Sequence, residues 1–294
     1  MNNKVKGYLL AIFSAIFYGL IPLFMLPLKA IHFSVDLTLF YRFFISALVL
    51  LGYIVYTKKA LKVNSRELII LGALGSLFAF SSELLFMGYD LLSPGIASTL
   101  LFVYPIMVAL IMAFFFQEKL TRLTVLSLFI TLCGIFALSI KDANFHINVA
   151  GLVVALLCAL CYAIYIVAVN KAKLQVPGIT ISFYSMLFSA LFYLCKVLVL
   201  HSFIVPGAGT LLHITLFGLI TCVGSITALV YAIKLIGSTP TSIMGAVEPV
   251  TAVAISVLLF QEPFTGALLA GIVLILTGVL ISIIADSKKE TAAH

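Results

Sequence analysis

The sequence predicts an all-α membrane protein with ten transmembrane helices, arranged as two inverted five-helix repeats, and both termini in the cytoplasm. Three observations carry this expectation. Hydrophobic residues make up 64% of the 294-residue chain and charged residues 9%, against roughly 45–50% and about 25% in soluble domains. The second half repeats the first at a constant offset of 144 positions, with Pro105 recurring as Pro249, Gln117-Glu118 as Gln261-Glu262, Thr121 as Thr265 and Gly134 as Gly278. Basic residues, finally, crowd into alternate loops.

A span needs about 20 apolar residues, and ten segments supply them. The first is 7–28, preceded by Lys4 and Lys6. It is too long for a signal-peptide core, and it has a repeat partner at 151–172 through Gly7, Ala11, Ala15, Tyr18 and Lys29 against Gly151, Ala155, Ala159, Tyr162 and Lys173. It is therefore a retained helix. The next two spans are 36–57, holding Arg42, and 67–91, holding Glu83, with the polar loop Thr57 to Glu67 between them. Leu92-Ser93-Pro94 leads into 95–116, which contains Pro105, and Gln117 to Leu120 leads into 121–140. The second half follows with 149–170, 178–200, 210–233, 240–260 and 264–285, the last two joined by Gln261-Glu262-Pro263. The stretch Lys141 to Asn148 joins the repeats, giving units at 1–146 and 147–294, the second ending in the polar tail Asp286 to His294. Short links make successive helices antiparallel neighbours. Ala267, Ala270, Gly271 and Gly278 permit close helix approach on the last span.

The net charge of +7 invites a nucleic-acid reading, but its distribution excludes one. With the N-terminus inside, Lys4, Lys6, Lys58, Lys59, Lys62, Arg66, Lys119, Arg122, Lys171, Lys173, Lys234, Lys288 and Lys289 fall on the cytoplasmic side, and only Lys29 and Lys141 fall outside. Thirteen against two is a positive-inside bias. It also inverts the repeat, since Lys29 lies outside and its partner Lys173 inside. Arg42 and Lys196 remain within spans.

Cys133, Cys158, Cys161, Cys195 and Cys222 all lie in spans, which argues against a disulfide framework. Cys158-x-x-Cys161 has no second metal-binding pair beside it and reads as helix packing. The five histidines are scattered. No cofactor motif, metal-ligand spacing or nucleophile signature is present, so neither an enzyme nor a cofactor is expected.

Pro105 and Pro249 sit at equivalent positions inside spans and free the carbonyls of Leu101 and Gly245, marking helix kinks or gating points. Glu248, just before Pro249, lies about eight residues into its span, roughly 12 Å deep at 1.5 Å per residue. That is near the middle of a hydrocarbon core about 30 Å thick, where an ionisable group is a functional candidate: a proton carrier or an acceptor for a substrate amine. Its repeat partner is Tyr104. Arg42 and Glu83 each lie about 10 Å below the outer boundary, and their repeat partners are uncharged (Met186 and Thr227). They form a structural ion pair, an outer gate, or a zwitterion site in which Arg42 takes a carboxylate and Glu83 an ammonium. Tyr18 and Tyr162, repeat partners near mid-depth, offer a ring face and a hydroxyl to a cavity wall.

Three stretches carry a family resemblance: Tyr41-Arg42-Phe43-Phe44-Ile45-Ser46-Ala47-Leu48, Tyr104-Pro105 through Gln117-Glu118, and Glu248-Pro249 through Gln261-Glu262. The chain resembles EamA-type ten-helix members of the drug/metabolite transporter superfamily over nearly its whole length. It departs from the usual pattern in closing both segments with Gln-Glu rather than Gly-Glu, and in having Tyr18-Gly19 where Trp-Gly is typical. The resemblance implies two five-helix halves around a central cavity, moving small organic solutes such as amino acids and other metabolites. The expected function is a secondary carrier in the cell (inner) membrane that exports amino acids or related compounds by alternating access, with Tyr18, Arg42, Glu83, Tyr104, Tyr162 and Glu248 lining its path. Membrane lipid and a coupling proton are the other expected partners. A multidrug or lipophilic-cation exporter and a lipid flippase are the alternatives.

Overall fold

The computed structural model describes residues 3–91, 100–139, 149–201, 203–259 and 265–291, and among these every regular element is a helix. Leu92-Ser93-Pro94, the join Lys141 to Asn148 and Gln261-Glu262-Pro263 lie outside the described residues, as does the end of the tail. The helices are α1 (Asn3–Tyr18), α2 (Ile21–Ala30), α3 (Val35–Tyr56), α4 (Ser65–Leu91), α5 (Tyr104–Phe116), α6 (Arg122–Ser139), α7 (Val149–Lys171), α8 (Gly178–Val199) and α9 (Ala208–Gly218). A π-helical turn at Leu219–Gly224 follows, then α10 (Ser225–Ile236), α11 (Ser238–Met244), α12 (Val247–Leu259) and α13 (Gly266–Thr291).

Eight helical stretches among the described residues are long and apolar enough to cross a membrane, and α5 and α6 are shorter apolar helices. Three of the eight are interrupted. The first expected span breaks at Gly19-Leu20 between α1 and α2. The stretch Ala208–Ile236 contains the π turn, and Ser238–Leu259 breaks at Gly245-Ala246.

Local signals account for the starts and stops. Ser34 caps α3 by accepting from the Leu37 N–H, at 3.5 Å. Asn64 and Glu67 form a reciprocal capping box at the start of α4, with Glu67 N–H on Asn64 Oδ1 at 2.8 Å and Asn64 N–H on Glu67 Oε2 at 3.1 Å. Gln117 ends α5 in the left-handed region with φ 54°.

Burial follows the logic of a lipid solvent. On α1 the buried residues are small or polar, Gly7, Ala11, Ser14 and Ala15, together with Tyr18. Leu9, Phe13 and Ile16 are exposed on the other side. An apolar stripe turned outward suits a hydrocarbon surround, where helices associate through small residues that allow close approach.

The chain forms two compact units, Met1–Phe80 with Ala168–Leu235, and Ser81–Val167 with Ile236–His294. Each draws on both repeats. In the first, α3 packs along α8, its own repeat counterpart. Phe43 stacks on Tyr193 at 5.8 Å, and Tyr193 donates to the Ala79 carbonyl of α4 at 3.0 Å. Gly75 lies so close to α8 that a Cβ there would overlap Phe188. The polar stretch after α3 is pinned by Thr180 and Tyr184, which donate to the carbonyls of Ala60 and Leu61 at 2.8 and 3.1 Å. Lys196 pairs with Asp36 at 2.8 Å.

In the second unit the closest packing is again between repeat counterparts, α6 and α13. Ser127 donates to the Gly278 carbonyl at 2.9 Å. A Cβ on Gly278 would overlap the Thr131 hydroxyl, and one on Gly134 would sit 2.8 Å from the Gly271 carbonyl and from Ile275. Gly134 and Gly278, matched by the repeat in sequence, therefore both lie in the contact between α6 and α13.

Candidate functional site

In the second unit, two helix breaks fall at equivalent positions. A turn at Phe102-Val103 precedes α5, which opens on Tyr104-Pro105. The turn at Gly245-Ala246 precedes α12, which opens on Val247-Glu248-Pro249. Subtracting 144 from 245–246 gives 101–102, within one residue of the first break. Proline explains both. Pro249 has no N–H for the Gly245 carbonyl, which instead accepts from Glu248 N–H at 2.9 Å in a tightened turn.

The two residues at these helix starts are Tyr104 and Glu248. Tyr104 is buried, and its hydroxyl lies on the backbone of Gly245, where a Cβ would overlap it. Its ring meets the Tyr162 ring edge-on at 4.9 Å, and Tyr162 is parallel to Tyr165 at 6.3 Å. Tyr165 escapes a search by repeat, yet its spacing of three from Tyr162 puts it on the same helix face. Glu248 stands half-buried in the first turn of α12. Cys158, one helical turn before Tyr162, is within electrostatic reach of this carboxyl. Cys158 is itself tied to α4, its thiol on the Ser81 carbonyl at 3.1 Å and the Ser81 hydroxyl on the Cys158 carbonyl at 3.2 Å. All five cysteines are free thiols. Glu83, also in this unit, is half-buried on α4.

Arg42 belongs to the first unit, where it is 1% exposed. Its Nε donates to Thr221 Oγ1 at 3.1 Å, and Thr221 donates onward to the Phe217 carbonyl at 2.7 Å. The guanidinium lies over the rings of Phe217, Phe43 and Tyr18, at 4.4, 5.5 and 5.9 Å from their centroids. Ser46 donates to the Arg42 carbonyl at 2.6 Å, and Cys222 is in electrostatic contact with the guanidinium. Tyr18 is the last residue of α1, at the break. Thr221 and Cys222 belong to the π turn, which no apolar periodicity signals, although Gly218 precedes it and Gly224 ends it. Among the described residues Arg42 is in no ion pair, and the Nη2 atom has no hydrogen-bond partner.

Eight helical stretches long and apolar enough to cross a membrane, with tyrosine or ionisable side chains at their breaks and a buried arginine, describe a multi-pass membrane protein. The chain belongs to the EamA-like transporter family, whose model matches residues 5–140 and again 149–284. It is 27% identical over 248 residues to the uncharacterised transporter YdfC of Bacillus subtilis (strain 168), spanning 79% of this chain and 77% of that one. It also resembles a protein of known crystal structure with a TM-score of 0.85 at 18% identity, covering 98% of this chain and 99% of the other. That likeness shows a shared fold. The double family match restates the repeat that the prolines and glycines announce.

Proposed function

We propose that the chain is a secondary carrier that exports amino acids or related small metabolites across the cell membrane by alternating access. In this reading it has ten spans in two inverted repeats, 1–146 and 147–294, and both termini are cytoplasmic. The observation that carries the proposal is the pair of equivalent helix breaks, one opening on Tyr104-Pro105 and the other on Glu248-Pro249. Two-fold related breaks supply hinge points in both halves, as alternating access requires. Their chemistry is unequal: a phenol in one half and a carboxyl group in the other. Glu248 serves as the coupling proton carrier. Tyr104 and Tyr162 face the substrate path in one unit, and Tyr18 does so in the other. Glu83 is assigned to substrate attraction. A lipophilic-cation exporter is disfavoured by Arg42, a buried cation.

The test is a substrate screen in proteoliposomes with an imposed pH gradient, run on the wild type and on Glu248→Gln. The variant is expected to fold and to lose transport, or to keep exchange while losing its response to the gradient. Unchanged flux with unchanged pH dependence removes Glu248 from the mechanism.

A further inference from the structure

The first unit contains two acidic residues, Asp36 and Glu67, and neither serves Arg42. Asp36 holds Lys196 at 2.8 Å. Glu67 accepts from the N–H groups of Asn64 and Gln175, each at 3.1 Å. A guanidinium that is 1% exposed is thus left with one hydroxyl, the Cys222 thiol, three ring faces and an unpartnered Nη2. Ring faces attract a cation by about 0.5–2 kcal/mol each. A buried charge taken out of water costs several kcal/mol, so the site is electrostatically incomplete as it stands.

We propose that Arg42, with the ring faces of Tyr18, Phe43 and Phe217 and the Thr221 hydroxyl, is a binding site for a small monocarboxylate with an apolar body. The inference rests on the carrier reading and names its substrate class. The planar guanidinium fork matches a carboxylate with two parallel hydrogen bonds. A single unpaired cation balances one negative charge, whereas a phosphate dianion needs more, and Lys196 of the same unit is already paired with Asp36. Three aromatic rings around the cation make a wall that suits an aliphatic or aromatic substrate body.

The site also abuts the two irregular stretches of its unit. Tyr18 ends α1 at the Gly19-Leu20 break, and Thr221 rides on the π turn, a feature that recurs at functional sites in helices. Glycines bring that turn close: a Cβ on Gly218 would lie 2.9 Å from the Arg42 carbonyl, and one on Gly224 2.9 Å from Phe17. With Arg42 only 1% exposed, a carboxylate reaches it only when its surroundings move, and these two irregular stretches lie against it.

The purified full-length chain in detergent tests this with three probes of one shape: phenylacetate, phenylacetamide and phenethylamine. Thermal stabilisation and calorimetric binding are the readouts. Phenylacetate is expected to bind about tenfold or more tightly than the amide, the scale of one charge-assisted pairing, and the amine is expected not to stabilise. Arg42→Gln should erase the preference while circular dichroism stays helical. Should Arg42→Gln not fold, Arg42→Lys retains the charge without the fork and should keep a weakened preference. Equal binding of acid and amide, no stabilisation by millimolar phenylacetate, or a preference that survives Arg42→Gln each overturns the site. Proteoliposome flux separates this from the carrier reading. Transport of neutral or cationic solutes alone leaves a carrier without this site. Carboxylate binding with no flux of any solute leaves the site without a carrier.

Discussion

At the scale of single residues, the contact between Tyr104 and Gly245 has the sharpest consequence. One is the repeat partner of Glu248 and the other lies at the break that Glu248 follows, so the hydroxyl of the first half lies on the helix interruption of the second. Glycine is required there by space rather than by φ, because Gly245 has an ordinary φ of −55°. Gly245→Ala should therefore lower the melting temperature and impair transport, while adding Tyr104→Phe removes the overlapping oxygen and restores part of both. The double-mutant cycle should give a coupling of about 0.5–3 kcal/mol, as expected for residues in contact. Additive effects would mean that Tyr104 and Gly245 do not meet. Glu248 has a different place: it stands half-buried in the first turn of α12, directly after the helix break.

At the scale of helices, α6 and α13 show how the repeat is used. The crossing is closed by Gly134 and Gly278, with Thr131 and Ser127 against the glycine backbone. Gly134→Leu or Gly278→Leu should push the helices apart and destabilise the protein by about 1–3 kcal/mol, the usual range for overpacking. Gly52→Ala, at a helix position with nothing within 4 Å of an added Cβ, should be neutral or slightly stabilising. Melting of the three variants in detergent checks this, and equal losses would remove the crossing as the cause.

The same pair of glycines marks what was legible in the sequence. Glycine and proline matches at one offset disclose equivalent elements, because those residues act on the backbone itself. The break before Pro249 follows from the missing N–H. The break after Tyr18 does not: there a turn at Gly19-Leu20 ends α1 inside an otherwise continuous apolar run. The π turn at Leu219–Gly224 was equally hidden, since one extra residue in a helical turn leaves an apolar sequence apolar. Arg42 stood out by charge, but Thr221, Phe217 and Cys222 around it are ordinary span residues whose importance depends on how α3 meets α9. Arg42 and Glu83, singled out at matched depth, are carried by different compact units, and Arg42 is served in its own by a hydroxyl and rings.

At the scale of the whole molecule, the two units do not follow the two repeats. Each gathers helices from both halves, with α3 beside α8 in one and α6 beside α13 in the other. In the proposed inverted arrangement, helices that pack against their own repeat counterparts are those nearest the pseudo-two-fold axis. An axis lying in the membrane plane makes the halves opposite in orientation, and this is what the loop charges predict. Lys29 and Lys173 are repeat partners, so an inverted protein must hold them on opposite sides. Single cysteines placed at His32 and at Lys62, in a chain whose own five cysteines are replaced, test the arrangement in intact cells. The His32 site follows α2, and the Lys62 site lies in the polar stretch after α3. A membrane-impermeant maleimide should label His32→Cys from outside and should reach Lys62→Cys only after the membrane is opened. Lys173→Cys should behave like Lys62→Cys, although the repeat relates it to Lys29. Labelling of Lys29→Cys and Lys173→Cys from the same side would make the halves parallel, and the breaks at Tyr104 and Glu248 would then no longer be related by an axis that exchanges the two faces of the membrane.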